Sequence, residues 1–433
     1  MENTREIVLD GLLTFEKELC FSNNLIKDIL DKYDYLDTRD KAFIKRLFEG
    51  CVERRTELDH VLGLYSSVPV KKQKPLIRNL LRMGIYQIMY MESVPDSAAI
   101  NEAVKLAKKR GFAKLSGFVN ANLRNVAKNK NDIRWPDREK DSIKYLSVRY
   151  SVPEWLCEKW QSIYGNERTE SILAALLKVH PVTLRFKRDL SESDMAKLVS
   201  EISKTGAILT KDERLPYIYR AENLNGVTSL PGYEEGLFTV QDISSCLAVE
   251  AAGIRPGDLV YDACAAPGGK SMLASEITGE GGSVISCDVS DAKVSRIEEN
   301  KNRLKAANVH SCVRDAGVTE ASIQDSVDVL ILDVPCSGLG ILGKKRDIKY
   351  NASPESISDL ITLQWKIVNA CAGYVKKGGR LLYSTCTINP DENEKQVLRI
   401  CSELGFEPVG KPVQLLPDED ECDGFFYAVL SRK

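Results

Sequence analysis

Over the first 130 residues apolar side chains return at intervals of three and four, as at Leu76, Leu80, Leu81, Ile85, Ile88 and Met89. That spacing lines them up on one stripe of an α-helix, the face that packs on a core. It predicts helices over 4–18, 25–33, 37–66, 74–91, 97–110 and 114–128. Asp37 and Asp40 read as a helix start, and the proline of VPDSAAINEAV ends one helix while Ser97 caps the next. Helices joined by such short connections predict an all-α bundle over residues 1–130.

A polar, proline-broken stretch near 129–140 reads as a linker. Helical periodicity returns at 143–150, 153–165 and 167–177, followed by a strand in VTLRFKR, a helix at 192–204 and short strands at 207–209 and 217–219. Residues 141–232 are therefore expected to form a small α/β module of RRM-like type. From 233 to 433 the pattern changes again. Apolar runs at 259–264, 283–289, 311–316, 327–334 and 378–386 alternate with helical segments at 271–278, 291–307 and 354–375. Buried strands alternating with amphipathic helices predict a parallel, doubly wound, Rossmann-like sheet, which holds its ligand at the carboxyl ends of the strands.

Composition alters this picture in two places. Lys and Arg total 60 against 62 Asp and Glu, an average that argues against a nucleic-acid partner. Yet residues 61–134 hold fourteen basic and four acidic side chains, a net +10 that leaves −12 for the rest. Such asymmetry points to an anionic partner at the helical end. The twelve cysteines are scattered without a CxxC pair and there are three histidines, so no metal site is expected. The acidic amino terminus lacks the features of a signal peptide, and no charge-free apolar run reaches the roughly 20 residues of a membrane span. A reduced, cytoplasmic protein with free thiols and no membrane partner is expected.

The densest chemical signal is DACAAPGGKS, residues 262–271, between a strand and a helix. Glycines there let a ligand approach the backbone, and a helix amino terminus offers free N–H groups. A phosphate-binding loop would need Gly at Cys264, and GxGxxG is absent, so a nucleoside-like ligand without a phosphate tail fits better. A tight turn with no ligand is the bland alternative. Asp288, Asp315 and Asp333 follow at successive strand tips, where carboxylates hold ribose hydroxyls, although single aspartates there often cap helices. Cys336 in DVPCSGLG and Cys386 in YSTCTINPDENEKQV share that edge. Most of the other cysteines read as small buried hydrophobes. A helix beginning near Pro390 is expected to favour the Cys386 thiolate. Such a thiolate beside a phosphate-free nucleoside site suggests covalent methyl transfer.

DACAAPGGKS, DVPCSGLG, YSTCTINPDENE and the terminal DGFFYAVL resemble the RNA cytosine-5 methyltransferases that use S-adenosylmethionine. LLRMGIYQIMYM, VPDSAAINEAVKLAKKRG and GFVNANLRNV resemble the RNA-binding domain of the NusB antitermination factor. The combination resembles the small-subunit rRNA branch of that methyltransferase family. It implies a cofactor loop at Cys264, Ala265, Ala266, Pro267, Gly268, Gly269 and Lys270, with further cofactor contacts from Asp288, Asp315 and Asp333. It implies Cys386 as nucleophile and Cys336 in product release, with Asp333 also near the base. The implied partner is 16S rRNA, free or in a small-subunit precursor, with DNA not expected and a monomer expected. The sequence departs from the family's pattern near Arg185, and the loop 342–350 leaves RNA contacts by Lys344, Lys345 and Arg346 balanced against a solvated surface loop.

Two rivals follow. Cys336 could attack in place of Cys386, and the group that removes the C5 proton, Cys336 or a water, is not visible in sequence. A different class is an RNA-binding regulatory or assembly protein whose methyltransferase domain is vestigial; the complete loop, both cysteines and the three aspartates stand against it.

Overall fold

The computed structural model describes residues 3–18, 21–178, 181–224 and 226–433, so Cys20 and His180 lie outside the described residues. The chain divides into two compact units, one of described residues up to Lys178 together with Leu342–Asn351, the other of the remainder.

In the first unit the helices Thr4–Glu18, Ser22–Lys32, Thr38–Glu53, Arg55–Tyr65, Pro75–Tyr90, Asp96–Lys109 and Ser116–Asn129 share one core. Pro75–Tyr90 buries eleven of its sixteen residues and serves as the central post. The continuous helix expected over 37–66 breaks at Arg54, which sits outside regular helical geometry at φ −105° and ψ 20°. Asp37 caps the first of the two halves by accepting from the Asp40 amide at 2.8 Å. The cap expected from Ser97 is not formed, because the helix begins one residue earlier at Asp96, after Pro95. Three more helices, Ser142–Tyr150, Glu154–Tyr164 and Asn166–Leu176, also fall in this unit. The residues expected as one module, 141–232, are thus divided between the two units.

In the second unit β1 (Val182–Phe186), β2 (Ile208–Lys211), β3 (Ile218–Glu222) and β4 (Phe238–Val240) make an antiparallel sheet in the order β2-β3-β1-β4. Leu184, Phe186, Ala221 and Phe238 face Leu198 and Ile202 of the helix Glu192–Ser203. Alternation turns Arg185 and Arg220 to the opposite face. There Arg185 donates to Gln241 at 2.8 Å and to Glu276 at 2.6 Å, and Arg220 pairs with Asp212 and Glu421. That face is therefore built into the second unit.

The large sheet comprises β5 (Leu259–Asp262), β6 (Ser283–Asp288), β7 (Val309–Val313), β8 (Val327–Asp333), β9 (Val375–Thr385), β10 (Phe406–Pro408), β11 (Val413–Leu415) and β12 (Phe425–Arg432). Its order is β10-β12-β9-β8-β5-β6-β7, with β11 paired to β12. Apolar clusters on both faces give the doubly wound arrangement. The sheet is mixed where a wholly parallel one was expected. β12 lies antiparallel to β9, with Phe426 opposite Thr385, so β12 starts where β9 ends and brings residues 416–424 to the ligand edge. Cys287 and Cys312 stand in register across β6 and β7 and are joined as a disulfide. The expectation of free thiols is corrected there, because strand pairing brings their Cα atoms to 4.9 Å.

Candidate active site

Asp262, Asp288 and Asp333 end β5, β6 and β8, and Cys386 follows β9, so all four converge on one edge of the parallel strands. Between β5 and β8 the strand order reverses direction, which opens the crevice where doubly wound sheets bind ligands. The loop after β5 enters this crevice through a cis Ala266–Pro267 bond and turns at Gly268, φ +101°. A side chain at Gly268 would be strained by that φ and would press on Met272. The helix Gly269–Thr278 follows directly.

The carboxylates are held in different ways. Asp288 is buried and accepts from the Ala266 amide at 3.0 Å, the Val289 amide at 2.8 Å and Lys293 at 2.9 Å, which pins the loop after β5 to the tip of β6. Asp333 accepts from Lys270 at 2.7 Å on one oxygen and Ser384 at 2.9 Å on the other. Burial works against the Lys270 ammonium, but Asp333, with smaller help from Asp262 and Cys386, holds the pKa above its ordinary value. Asp315 lies two residues beyond β7, exposed, with its carboxylate turned back to the Gly317 amide at 2.8 Å. Asp262 is fully enclosed. Burial lifts its carboxyl to about 7 despite the Ser271 hydroxyl it accepts from at 2.7 Å. Its other oxygen has no hydrogen-bond partner among the described residues.

Cys336 and Cys386 are brought together, Sγ to Sγ 3.2 Å. The contact with Cys386 is the largest cause raising the Cys336 thiol well above its ordinary pKa, followed by burial. Burial, then Asp262, likewise raises Cys264. The helix expected at Pro390 begins at Glu394, behind an intervening turn, so its amino terminus is farther along the chain from Cys386 than the proline suggested.

Sequence reasoning did not single out Glu392. It is completely buried and accepts from the Ser337 amide at 2.8 Å, the Ser337 hydroxyl at 2.6 Å, Gln364 at 3.0 Å and Asn389 at 2.9 Å. Ser337 also meets the Thr387 hydroxyl at 2.8 Å, so one carboxylate ties the Cys336 loop to the Cys386 loop. Gly340 donates to the Cys386 carbonyl at 3.1 Å and accepts from the Gly424 amide at 2.9 Å. A Cβ on Gly424 would lie 2.8 Å from the Gly340 Cα, so this crossing requires glycine. The signal available was the charged and amide-rich run NPDENE, residues 389–394, soon after an apolar strand, too polar to be buried unless knotted by hydrogen bonds.

Residues 251–431 match the family described as 16S rRNA methyltransferase RsmB/F, and residues 2–128 match the NusB family. Over its whole length the chain is 32% identical to a Bacillus subtilis protein named "Probable ribosomal RNA small subunit methyltransferase B", covering 99% of that protein. The chain belongs to the ribosomal RNA small subunit methyltransferase B family. A family member from Proteus mirabilis, named ribosomal RNA small subunit methyltransferase B, is 30% identical over 92% of each chain. The crystal structure of PH0851 has the same fold, with TM-score 0.81 at 22% identity over 100% of this chain and 99% of that one. NSun6 from Pyrococcus horikoshii shares the fold over 65% of this chain and 98% of that one, TM-score 0.56 at 20% identity.

S-adenosylmethionine is the cofactor of this methyltransferase family. The crevice suits it: a glycine turn whose φ of +101° disfavours a side chain, carboxylates at the tips of β6 and β8, and exposed Val289, Val313 and Val318 beside Asp288 and Asp315. Bare valines next to a strand-tip carboxylate offer an apolar seat for a ring and an acceptor for hydroxyls.

Proposed function

We propose that this S-adenosylmethionine-dependent methyltransferase acts at C5 of a cytosine in 16S rRNA through a covalent adduct on Cys386. The observation that carries the reading is the 3.2 Å approach of Cys336 to Cys386, beside the Lys270–Asp333 pair. In this reading the loop 264–270, Asp288 and Asp315 hold the cofactor, and Asp333 serves both cofactor and base. When bound, the cofactor supplies an electrophilic methyl group on a sulfonium.

C5 of cytosine is a weak nucleophile. Bonding of the Cys386 sulfur to C6 breaks the ring's aromaticity and places electron density on C5, which then takes the methyl. Loss of the C5 proton and cleavage of the C6–S bond restore the ring. Cys336, held as a neutral thiol, is the proton donor to the departing Cys386 sulfur, and water takes the C5 proton. Asp333, gripped by Lys270 and Ser384, is aimed to accept from the exocyclic amine of the base. The base must leave any stack to expose C6.

RNA carrying 5-fluorocytosine tests the division of labour, because fluorine at C5 blocks the final elimination. The adduct is expected on the peptide containing Cys386, absent in Cys386→Ala and retained in Cys336→Ala. An adduct on Cys336, or full methylation by Cys386→Ala, overturns the assignment. Absence of S-adenosylmethionine binding by calorimetry would favour the vestigial alternative.

A further inference from the structure

The residues around Cys336 and Cys386 hold the two sulfurs together more firmly than a passing contact requires. Ser337 and Thr387, the next residue after each cysteine, are buried and meet hydroxyl to hydroxyl at 2.8 Å. Glu392 accepts from both the amide and the hydroxyl of Ser337, and the Gly340 amide donates to the Cys386 carbonyl at 3.1 Å. The strands behind the two loops are themselves paired, with Asp333 opposite Ser384. Both cysteines are only half-buried, whereas Cys51, Cys157, Cys246, Cys371 and Cys422 are buried.

A nucleophilic sulfur open to solvent is also a target for hydroperoxides, and the damage is permanent once its sulfenic acid is oxidised on to the sulfinic acid. A second thiol in contact changes that outcome, because it captures the sulfenic acid as a disulfide. The two sulfurs stand 3.2 Å apart and a disulfide needs about 2 Å, so a shift of about 1 Å closes the bond. The hydrogen-bonded loops present each sulfur to the other at an effective concentration that no dissolved thiol matches. The pair is also asymmetric. Cys336 is kept as a neutral thiol, chiefly by its contact with Cys386, while the charge of Cys386 is among those that stabilise the Lys270 ammonium. One sulfur is thereby placed to attack and the other to resolve.

We propose that Cys336 and Cys386 are a modification site for hydroperoxides, closing to a disulfide that suspends methyl transfer until a thiol reductant reopens it. With hydrogen peroxide, the Cys386 thiolate attacks one oxygen; the S–O bond forms, the O–O bond breaks, and the other oxygen leaves as hydroxide and takes up a proton to become water. The Cys336 sulfur, giving up its proton, then attacks the sulfur of the Cys386 sulfenic acid. The S–S bond forms, the S–O bond breaks, and hydroxide leaves with that proton as a second water. The two thiols together lose two electrons, and one peroxide is reduced to two waters. Closure takes away the sulfur that would bond to C6 of the cytosine. The proposal rests on the methyltransferase reading for its effect on activity and on the sulfur contact and its hydrogen-bonded loops for the bond itself.

Peptide mapping and activity, read side by side on the full-length protein, test it. Trypsin cuts after Arg314 and Lys344 around Cys336 and after Arg380 and Lys395 around Cys386, so each peptide carries one cysteine. Reduced protein treated with a small excess of hydrogen peroxide should yield the two peptides joined. Methyl transfer to rRNA fragments should fall by about tenfold or more with S-adenosylmethionine affinity unchanged, and dithiothreitol should separate the peptides and restore the rate. In Cys336→Ala the same treatment should carry Cys386 on to the sulfinic acid, which dithiothreitol does not reverse. Cys312→Ala, unable to form the Cys287–Cys312 bond, should respond as the wild type does; loss of the response there assigns it to that bond and overturns the proposal. Peptides that stay separate while activity falls, or a joined pair in a fully active enzyme, overturn it as well. Joined peptides in a chain whose reduced form is inactive on rRNA would instead overturn the substrate reading and leave the disulfide standing.

Discussion

Cys336 and Cys386 stand 50 residues apart in the chain and 3.2 Å apart at sulfur. Each follows a different strand of the large sheet, β8 and β9, which pair in parallel register with Asp333 opposite Ser384. Strand pairing brings the two loops side by side, and Glu392 locks them.

Glu392 is the first point to test. Removing it by Glu392→Ala leaves the Ser337, Gln364 and Asn389 donors without their acceptor in a site closed to water. A loss of about 3 kcal/mol is expected from denaturant midpoints, with Glu392→Gln losing less because it keeps the shape and part of the bonding. Methylation should fall in both variants beyond the fraction unfolded.

Lys270→Met takes away the ammonium that grips Asp333, leaving the Ser384 hydroxyl in place. Single-turnover methyl transfer at saturating cofactor and RNA is expected to slow by about a hundredfold, the scale for one lost electrostatic contact in an enclosed site. Lys270→Arg should recover little, since the guanidinium is larger than the space the ammonium fills.

Asp262 carries a pH signature. Its folded pKa is raised from 3.8 to about 7, so the folded state favours the protonated acid. The contribution is fully present below 3.8 and is lost as pH rises through about 7. The charges felt there are those of Lys270, Asp333 and Asp288. Asp262→Asn, neutral at every pH, should gain thermal stability relative to wild type as pH rises from 5 to 8, on the order of a few kcal/mol at most. Parallel stability curves for the two proteins would contradict a raised pKa.

The positive helical segment is less uniform than its sum. Arg78 and Arg82 pair with Glu16 and Asp59, Lys109 pairs with Glu6, and Arg110 pairs with Asp10. Arg124 and Lys128, four apart on Ser116–Asn129, are exposed. Arg124→Glu with Lys128→Glu should weaken rRNA-fragment binding and flatten its salt dependence more than Lys109→Ala with Arg110→Ala. Filter binding across a salt series reads the difference, and cofactor affinity should stay constant.

Helix and strand positions in this protein were legible because burial imposes a period, and Thr4–Glu18 was read to the residue. The break at Arg54 was not, because apolar spacing runs through it and only packing reveals the kink. The antiparallel β12 was missed as a strand, although its residues were legible as the motif DGFFYAVL. An apolar run does not say which neighbour it pairs with or in which direction.

The same boundary runs through the active site. By itself the sequence determined the family and pointed to candidate residues in the loop 264–270 and at the strand tips, because each is a local pattern of residue types beside a strand. Only the tertiary structure decided that Cys336 meets Cys386, that Glu392 binds their loops together, and that Arg346 is held by Glu49 and Glu53. Those are contacts between segments tens to hundreds of residues apart, set by strand order and helix packing. No spacing along the chain encodes them.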